Sequence, residues 1–82
     1  MADLDWIREV LGAQVVNGLL EQAKTDRSHA LALWDELESK AREAYFQTQH
    51  MARVGTYEET MQPHYAKSAA LSGLRAHIVE QP

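Results

Sequence analysis

The segment from Met51 to Glu59 constrains the fold more than any other part of this chain. Gly55 lies between two long stretches of helix-compatible sequence, and glycine readily adopts the left-handed backbone that closes a helix C-terminus. Thr56 followed by Glu59 fits the capping box, in which a Thr oxygen and a Glu carboxylate satisfy backbone donors reciprocally. The segment therefore predicts a tight reversal between two helices, which is an antiparallel helical hairpin.

The first helix of this hairpin is predicted over residues 27–54, with Thr25 or Asp26 as its N-terminal cap. Mostly small and apolar residues recur along it at alternating spacings of four and three, the seam spacing of helices that pack at shallow angles. They are Ala30, Trp34, Leu37, Ala41, Ala44, Thr48 and Met51. The alanines in the middle of this seam predict a close approach of the partner helix.

The second helix of the hairpin is predicted over residues 57–79. Pro63 lies inside this range, and a proline in a helix interior removes a hydrogen bond and clashes with the preceding turn. We therefore expect either a kink near Pro63 or a helix that starts there. After the proline, one apolar stripe is formed by Ala70, Leu71, Leu74 and Ile78.

An N-terminal helical segment is predicted over residues 4–23, with Asp3 as its cap. At about 100° per residue, its apolar residues form two clusters on roughly opposite sides of the helix. The first cluster is Trp6, Ile7, Val10 and Leu11, and the second is Val15, Val16, Leu19, Leu20 and Ala23. Either the helix breaks near Gly12, or it stays straight between two partners, one of them another subunit. We favour the break, because glycine inside a helix costs about 1 kcal/mol relative to alanine.

Length and composition bound the class of protein. We expect one domain, residues 1–82, with a thin core of the kind that often gains stability by self-association. No apolar run is long enough to span a bilayer, and we expect no signal peptide and no membrane. The chain has no cysteine, which excludes disulfides and fits a cytoplasmic location. With a net charge of −4 and 8 scattered basic residues, it lacks the basic stripe needed to bind nucleic acid.

A metal site is the first chemical possibility. Glu43, Gln47 and His50 share a helix face, and the hairpin would place His64 roughly opposite Gln47. The candidate ligands are therefore Glu43, His50 and His64, a set that would suit zinc. However, Gln47 replaces the acid of the carboxylate–x–x–His pairs in di-iron bundles, and Glu43 and His50 project away from the seam. We therefore expect no metal and no cofactor.

The sequence carries no catalytic signature. Its serines lie in predicted helices without a glycine-rich elbow, and phosphate-binding glycine loops are missing. The acidic run at Asp35, Glu36 and Glu38 is interpreted as a solvated helix face. Two i,i+4 ion pairs would support that face, from Glu36 to Lys40 and from Glu38 to Arg42. We predict that the protein is not an enzyme.

Phe46 gives the strongest indication of a function. It lies about 160° from the centre of the apolar stripe of its helix, among charged and polar neighbours. A ring surrounded by charges is typical of an interface anchor. Either a partner covers this ring, or the N-terminal segment folds over it. The candidate partner-binding residues are Phe46, Arg42, His50, Arg53 and Trp6.

These features predict an all-α protein, an antiparallel helical hairpin with an additional N-terminal helical segment. We expect a small interaction module, an adaptor, regulator or inhibitor of a larger complex, which self-associates, most simply as a dimer. In size and mild acidity the chain is similar to compact helical inhibitors encoded by phages and other mobile elements. That similarity would imply an inhibitor of a host defence complex. Another alternative is a helical oligomer that binds a small ligand or a metal between helices or subunits.

Overall fold

Four α-helices make up the part of the chain that the structure describes. The structure is a computed structural model and describes residues 3–51, 55 and 57–80. The helices are α1 (Leu4–Leu11), α2 (Ala13–Thr25), α3 (Arg27–Met51) and α4 (Tyr57–Val79). The described residues contain no strand, which confirms the all-α class. Across the same residues, no helix has both the length and the apolar character needed to cross a membrane.

Helices α3 and α4 form an antiparallel hairpin. Near the start of α3, the indole N–H of Trp34 donates a hydrogen bond of 2.7 Å to the carbonyl of Leu71 on α4. Near the end of α3, the Gln49 amide donates to the hydroxyl of Tyr57 at 3.0 Å. Residue numbers thus rise along α3 while those of its partners on α4 fall, in agreement with the predicted hairpin.

The predicted seam of α3 is at least half-buried along most of its length. Ala30 is fully buried, and the next five members, from Trp34 to Thr48, are half-buried. The last member, Met51, is 82% exposed, so the seam ends before it. From residue 31 to residue 51 no side chain of α3 is fully buried, which leaves the sides of the hairpin open in this region.

The connection between α3 and α4 differs from the prediction. Gly55 lies in a 3₁₀ turn, and Gly12 is the one described glycine with a positive φ. The left-handed conformation predicted for Gly55 is therefore wrong, because a 3₁₀ turn tightens a helix end without it. Thr56, on which the capping box depends, lies outside the described residues. Helix α4 begins at Tyr57 and continues through Pro63, so a start at the proline is also wrong.

The N-terminal segment breaks at Gly12. The backbone of Gly12 has φ 97° and ψ 130°, a conformation that residues other than glycine rarely adopt. Arg8 links the two sides of the break. Its Nε donates to Asn17 Oδ1 at 2.9 Å, and its Nη1 donates to Asp5 Oδ1 at 3.3 Å. The break turns α2 away from the direction of α1.

Among the described residues, a hydrophobic core joins all four helices, and Met61 of α4 is buried outside it. Helix α1 packs on α2 and α4, and α2 packs on α3 and α4. The core lies at the end of the hairpin remote from the turn, because it uses the start of α3 and the end of α4. Its buried members are Ile7, Val16, Leu19, Leu20, Ala23, Ala30, Ala70, Leu74 and Ile78.

Because the N-terminal segment breaks at Gly12, its two apolar clusters no longer require a second subunit to cover them. Both apolar clusters of the N-terminal segment contribute to the one core, through Ile7 from α1 and Val16 from α2. The reversal of the apolar pattern is therefore accommodated within the chain and requires no other copy. Apolar surface remains on the N-terminal segment, where Val15 is 40% exposed, and on the hairpin, where Phe46 is 51% exposed and Tyr65 is 40% exposed.

Substitution of Gly12 tests the break directly. Gly12→Ala should lower the free energy of unfolding by about 2 kcal/mol, because alanine is strained at this φ and ψ. No heavy atom lies within 4 Å of the added methyl group, so the cost comes from the backbone and not from a clash. Urea denaturation followed by circular dichroism measures the change.

Gly18 provides the matched control. It lies inside α2 with ordinary helical backbone, and an added methyl group again meets nothing within 4 Å. Gly18→Ala should raise the free energy of unfolding by about 0.5–1 kcal/mol, since alanine loses less entropy than glycine in a helix. Opposite signs for the two substitutions are the expected result, and equal signs would contradict a break at Gly12.

Candidate functional site

A groove of about 450 Å³ runs between α3 and α4 on one side of the hairpin, and we call it the aromatic groove. No residue of α1 or α2 lines it. The α3 wall consists of Trp34, Glu38, Ala41, Arg42, Tyr45 and Phe46. The α4 wall consists of His64, Tyr65, Ser68, Leu71, Ser72 and Arg75.

Tyr45 is the centre of a cluster of rings in this groove. The Phe46 ring meets it edge-on, with ring centroids 5.4 Å apart and an interplanar angle of 82°. From α4, the ring of His64 lies 6.3 Å from Tyr45 and that of Tyr65 lies 6.1 Å away. Edge-to-face pairs at such distances stabilise ring positions beyond the effect of buried area alone. The cluster therefore holds the two helices together beyond the end of the core.

The hydroxyl of Tyr65 stays protonated in this setting. Desolvation raises the pKa of Tyr65 above its ordinary value, and the neighbouring phenols of Tyr57 and Tyr45 raise it further. At neutral pH the group is thus a neutral hydrogen-bonding phenol on the half-exposed wall of the groove. It offers a partner a hydrogen bond without introducing a charge.

Trp34 forms the end of the groove nearest the core. Its hydrogen bond to the Leu71 carbonyl fixes the indole against α4. The guanidinium of Arg75 lies over the same ring, 5.7 Å from its centroid, within the range of a cation–π contact. Trp34 also packs against the hydrophobic core, so this end of the groove is anchored to the fold.

The charged groups of the groove have partners within it. Arg42 donates a charge-assisted hydrogen bond to Glu38, the i,i+4 pair that the sequence predicts. Arg75 is engaged with the Trp34 ring. The groove therefore presents rings, one ion pair, and the guanidinium of Arg75, which keeps its positive charge over the Trp34 ring.

The structure brings together two of the predicted partner-binding residues. Phe46 and Arg42 both line the aromatic groove. His50 is exposed on α3 outside the groove lining, and Trp6 is 37% exposed on α1. Arg53 lies outside the described residues. The alternative in which the N-terminal segment covers Phe46 is wrong, because α1 and α2 pack around the core and leave this ring exposed.

The candidate metal ligands do not converge. Within the described ranges, no group of three His, Cys, Asp or Glu residues is close enough to hold an ion. His64 lies in the groove beside Tyr45, whereas Glu43 and His50 are exposed, and Glu43 accepts a hydrogen bond from Gln47 at 3.5 Å.

The α4 wall of the aromatic groove was not predicted from the sequence. Tyr65, Ser68, Ser72 and Arg75 follow spacings of three, four and three, which places them on one helix face. In the sequence these residues form a polar stripe with two small serines, a pattern that usually indicates a solvent-exposed helix face. It becomes informative only when the hairpin register sets this stripe beside Tyr45.

The chain was compared with protein-family models, curated proteins and solved structures, and none of them matches it.

Proposed function

We propose that this protein is a small, non-enzymatic protein–protein interaction module and that the aromatic groove joins two copies in a dimer. The exposure of Phe46 is the observation that carries the proposal. Its ring is 51% exposed at a groove of about 450 Å³ that is lined by other aromatic rings. A partner that covers the ring and the groove would remove this apolar surface from water, which is favourable.

A second copy of the chain suits this surface. Phe46 projects as a knob, and the groove beside it, with small residues at Ala41 and Ser68, is a hole on the same face. A two-fold axis between knob and hole would place each Phe46 over the groove of the other copy. Such an interface, in which the same patch serves both subunits, is the commonest kind in homodimers.

The charges of the groove also favour a second copy. Arg42 is paired with Glu38, and Arg75 lies over Trp34 at the end of the groove nearest the core, so the part of the groove around Phe46 and Tyr45 carries no unpaired arginine or lysine. Interface centres are depleted in unpaired charges and enriched in aromatic residues. The resulting dimer would act as an adaptor, regulator or inhibitor of a larger complex, a host defence complex among the possible targets.

Phe46→Ala provides the test. We expect sedimentation equilibrium of the unaltered protein to show a monomer–dimer equilibrium in the micromolar range. The substitution should weaken dimerisation by about 2 kcal/mol, a change of roughly 30-fold, as loss of an interface anchor does. The stability of the monomer should fall by less than about 1 kcal/mol, because the ring is half-exposed and its contact is the edge of Tyr45.

Met51→Ala is the matched control for Phe46→Ala. It removes a large apolar side chain from the same helix at an 82% exposed position outside the groove lining, and it should change neither stability nor association. A clean monomer at all concentrations would contradict the proposal. So would a Phe46→Ala protein that dimerises like the unaltered one.

A second candidate function is the binding of a small molecule in the aromatic groove. The volume of about 450 Å³ is within the range of ligand sites, and rings dominate the lining. Native mass spectrometry distinguishes the two candidates. A retained small molecule would favour the ligand-binding oligomer, and an empty dimer would favour the interaction module.

A further inference from the structure

The opposite side of the hairpin carries a second groove, of about 230 Å³, which we call the lysine groove. Apolar side chains from all four helices form its walls. They are Val10, Leu11 and Val15 at the α1–α2 break and Leu37, Ala44 and Leu71 on the hairpin. Ala41 and Leu71 line both grooves from the seam between α3 and α4, which places the two grooves on opposite sides.

Two lysines border this apolar surface from different helices. Lys40 belongs to α3 and Lys67 to α4, and both are exposed. Within the described part of the chain, neither ammonium group lies within ion-pair distance of a carboxylate. The predicted pair from Glu36 to Lys40 is therefore wrong, although Glu38 and Arg42 on the same helix do pair.

The two grooves thus differ in the charged residues that line them. The lining of the aromatic groove includes a carboxylate, Glu38, which pairs with Arg42, whereas the lining of the lysine groove has two lysines and no carboxylate. An occupant of the lysine groove should therefore be apolar along its middle and negatively charged on both sides.

We propose that the lysine groove binds an amphipathic helix of another protein, with an apolar stripe flanked by carboxylates. A helix laid in a groove presents apolar anchors at i, i+3, i+4 and i+7 and can place an acid on each side of that stripe. A fatty acid carries a single carboxylate and would leave one of the two walls unmatched. The proposal is independent of the dimer, because the aromatic groove lies on the other side of the hairpin.

A selected peptide tests the proposal. The probe is a phage-displayed library of helical peptides with leucine fixed at i, i+3, i+4 and i+7 and random residues elsewhere, selected on the full chain. We expect enrichment of Asp and Glu on both flanks of the leucine stripe. For the enriched peptides, Lys40→Glu or Lys67→Glu should raise the Kd by about tenfold in fluorescence anisotropy, because each reversal opposes like charges. The affinity should also fall as salt rises.

Lys24→Glu is the matched control for these variants, since it makes the same change of charge at an exposed lysine of α2 that does not line the groove. It should leave the Kd within about twofold.

Selection without acidic enrichment, or peptides that bind the two groove variants as well as the unaltered chain, would overturn the proposal. A lower oligomeric state in the groove variants would assign the surface to a second copy, and lysine-dependent binding to phosphatidylglycerol vesicles would assign it to lipid. Either result would also overturn it.

The same measurements separate this proposal from the dimer. The Phe46→Ala protein should bind the selected peptides with unchanged Kd, since Phe46 lies on the other side of the hairpin. Loss of dimerisation with intact peptide binding supports both proposals. A monomeric unaltered protein that still binds the peptides would remove the dimer and leave the lysine groove standing.

Discussion

Ile7→Ala is expected to lower the free energy of unfolding by about 3 kcal/mol. Ile7 is the buried residue of α1, with no exposed surface, and it joins that helix to the core formed with α2, α3 and α4. Truncation removes buried methyl groups and leaves a cavity that the short helix cannot easily close. Urea denaturation at several protein concentrations measures both the loss and its dependence on association.

Trp6→Ala is the control for Ile7→Ala. The two residues are neighbours on α1, but Trp6 is 37% exposed and lies outside the core. Its loss should cost less than about 1 kcal/mol, as substitutions near the surface generally do. Equal effects at the two positions would contradict the docking of α1 on its own hairpin. A loss at Ile7 that grows on dilution would indicate that α1 packs on a second copy instead.

Much of the helical architecture could be predicted, because helices leave a local record in sequence. The seam from Ala30 to Thr48 repeats at four and three residues, and the structure buries that face of α3. Asp26 accepts a hydrogen bond from the backbone of His29 at 3.1 Å, as its position before α3 suggests. The conformation at Gly55 was the exception, since helix ends can be closed in more than one way.

The aromatic groove could not be predicted in the same way, because it depends on contact between residues far apart in sequence. Phe46 was interpreted from its neighbours on α3 alone, which are charged and polar. The structure adds Tyr65 from α4, which reaches Tyr45 and makes Phe46 part of a larger ring cluster. Periodicity identifies the face of one helix, but it does not give the register that sets one face beside another.

The two sides of the hairpin support different kinds of association. In the aromatic groove, Arg42 is paired with Glu38 and aromatic rings dominate the lining, and we propose a second copy as its partner. In the lysine groove, Lys40 and Lys67 have no ion-pair partner within the described residues, so the surface suits a partner that carries acidic residues. A dimer formed through the first groove would leave the second exposed on each subunit. The protein could thereby present two identical docking sites to a larger complex.

Trp34→Ala should cost about 3 kcal/mol or more of unfolding free energy, because this ring belongs both to the edge of the core and to the end of the aromatic groove. The substitution removes the packed indole, its hydrogen bond to the Leu71 carbonyl and its contact with Arg75. We expect dimerisation to weaken as well, since the groove loses its end. Far-UV circular dichroism during urea unfolding and sedimentation equilibrium measure the two effects.

Trp34→Phe separates packing from hydrogen bonding. A phenyl ring retains most of the packed surface and the face beneath Arg75 but has no N–H to donate to Leu71. The expected cost is about 1 kcal/mol, the usual net value of a hydrogen bond, and dimerisation should be nearly unchanged. If phenylalanine proved as damaging as alanine, the hydrogen bond and not the bulk of the ring would hold α3 to α4. If both variants were nearly neutral, Trp34 would not anchor the groove to the core.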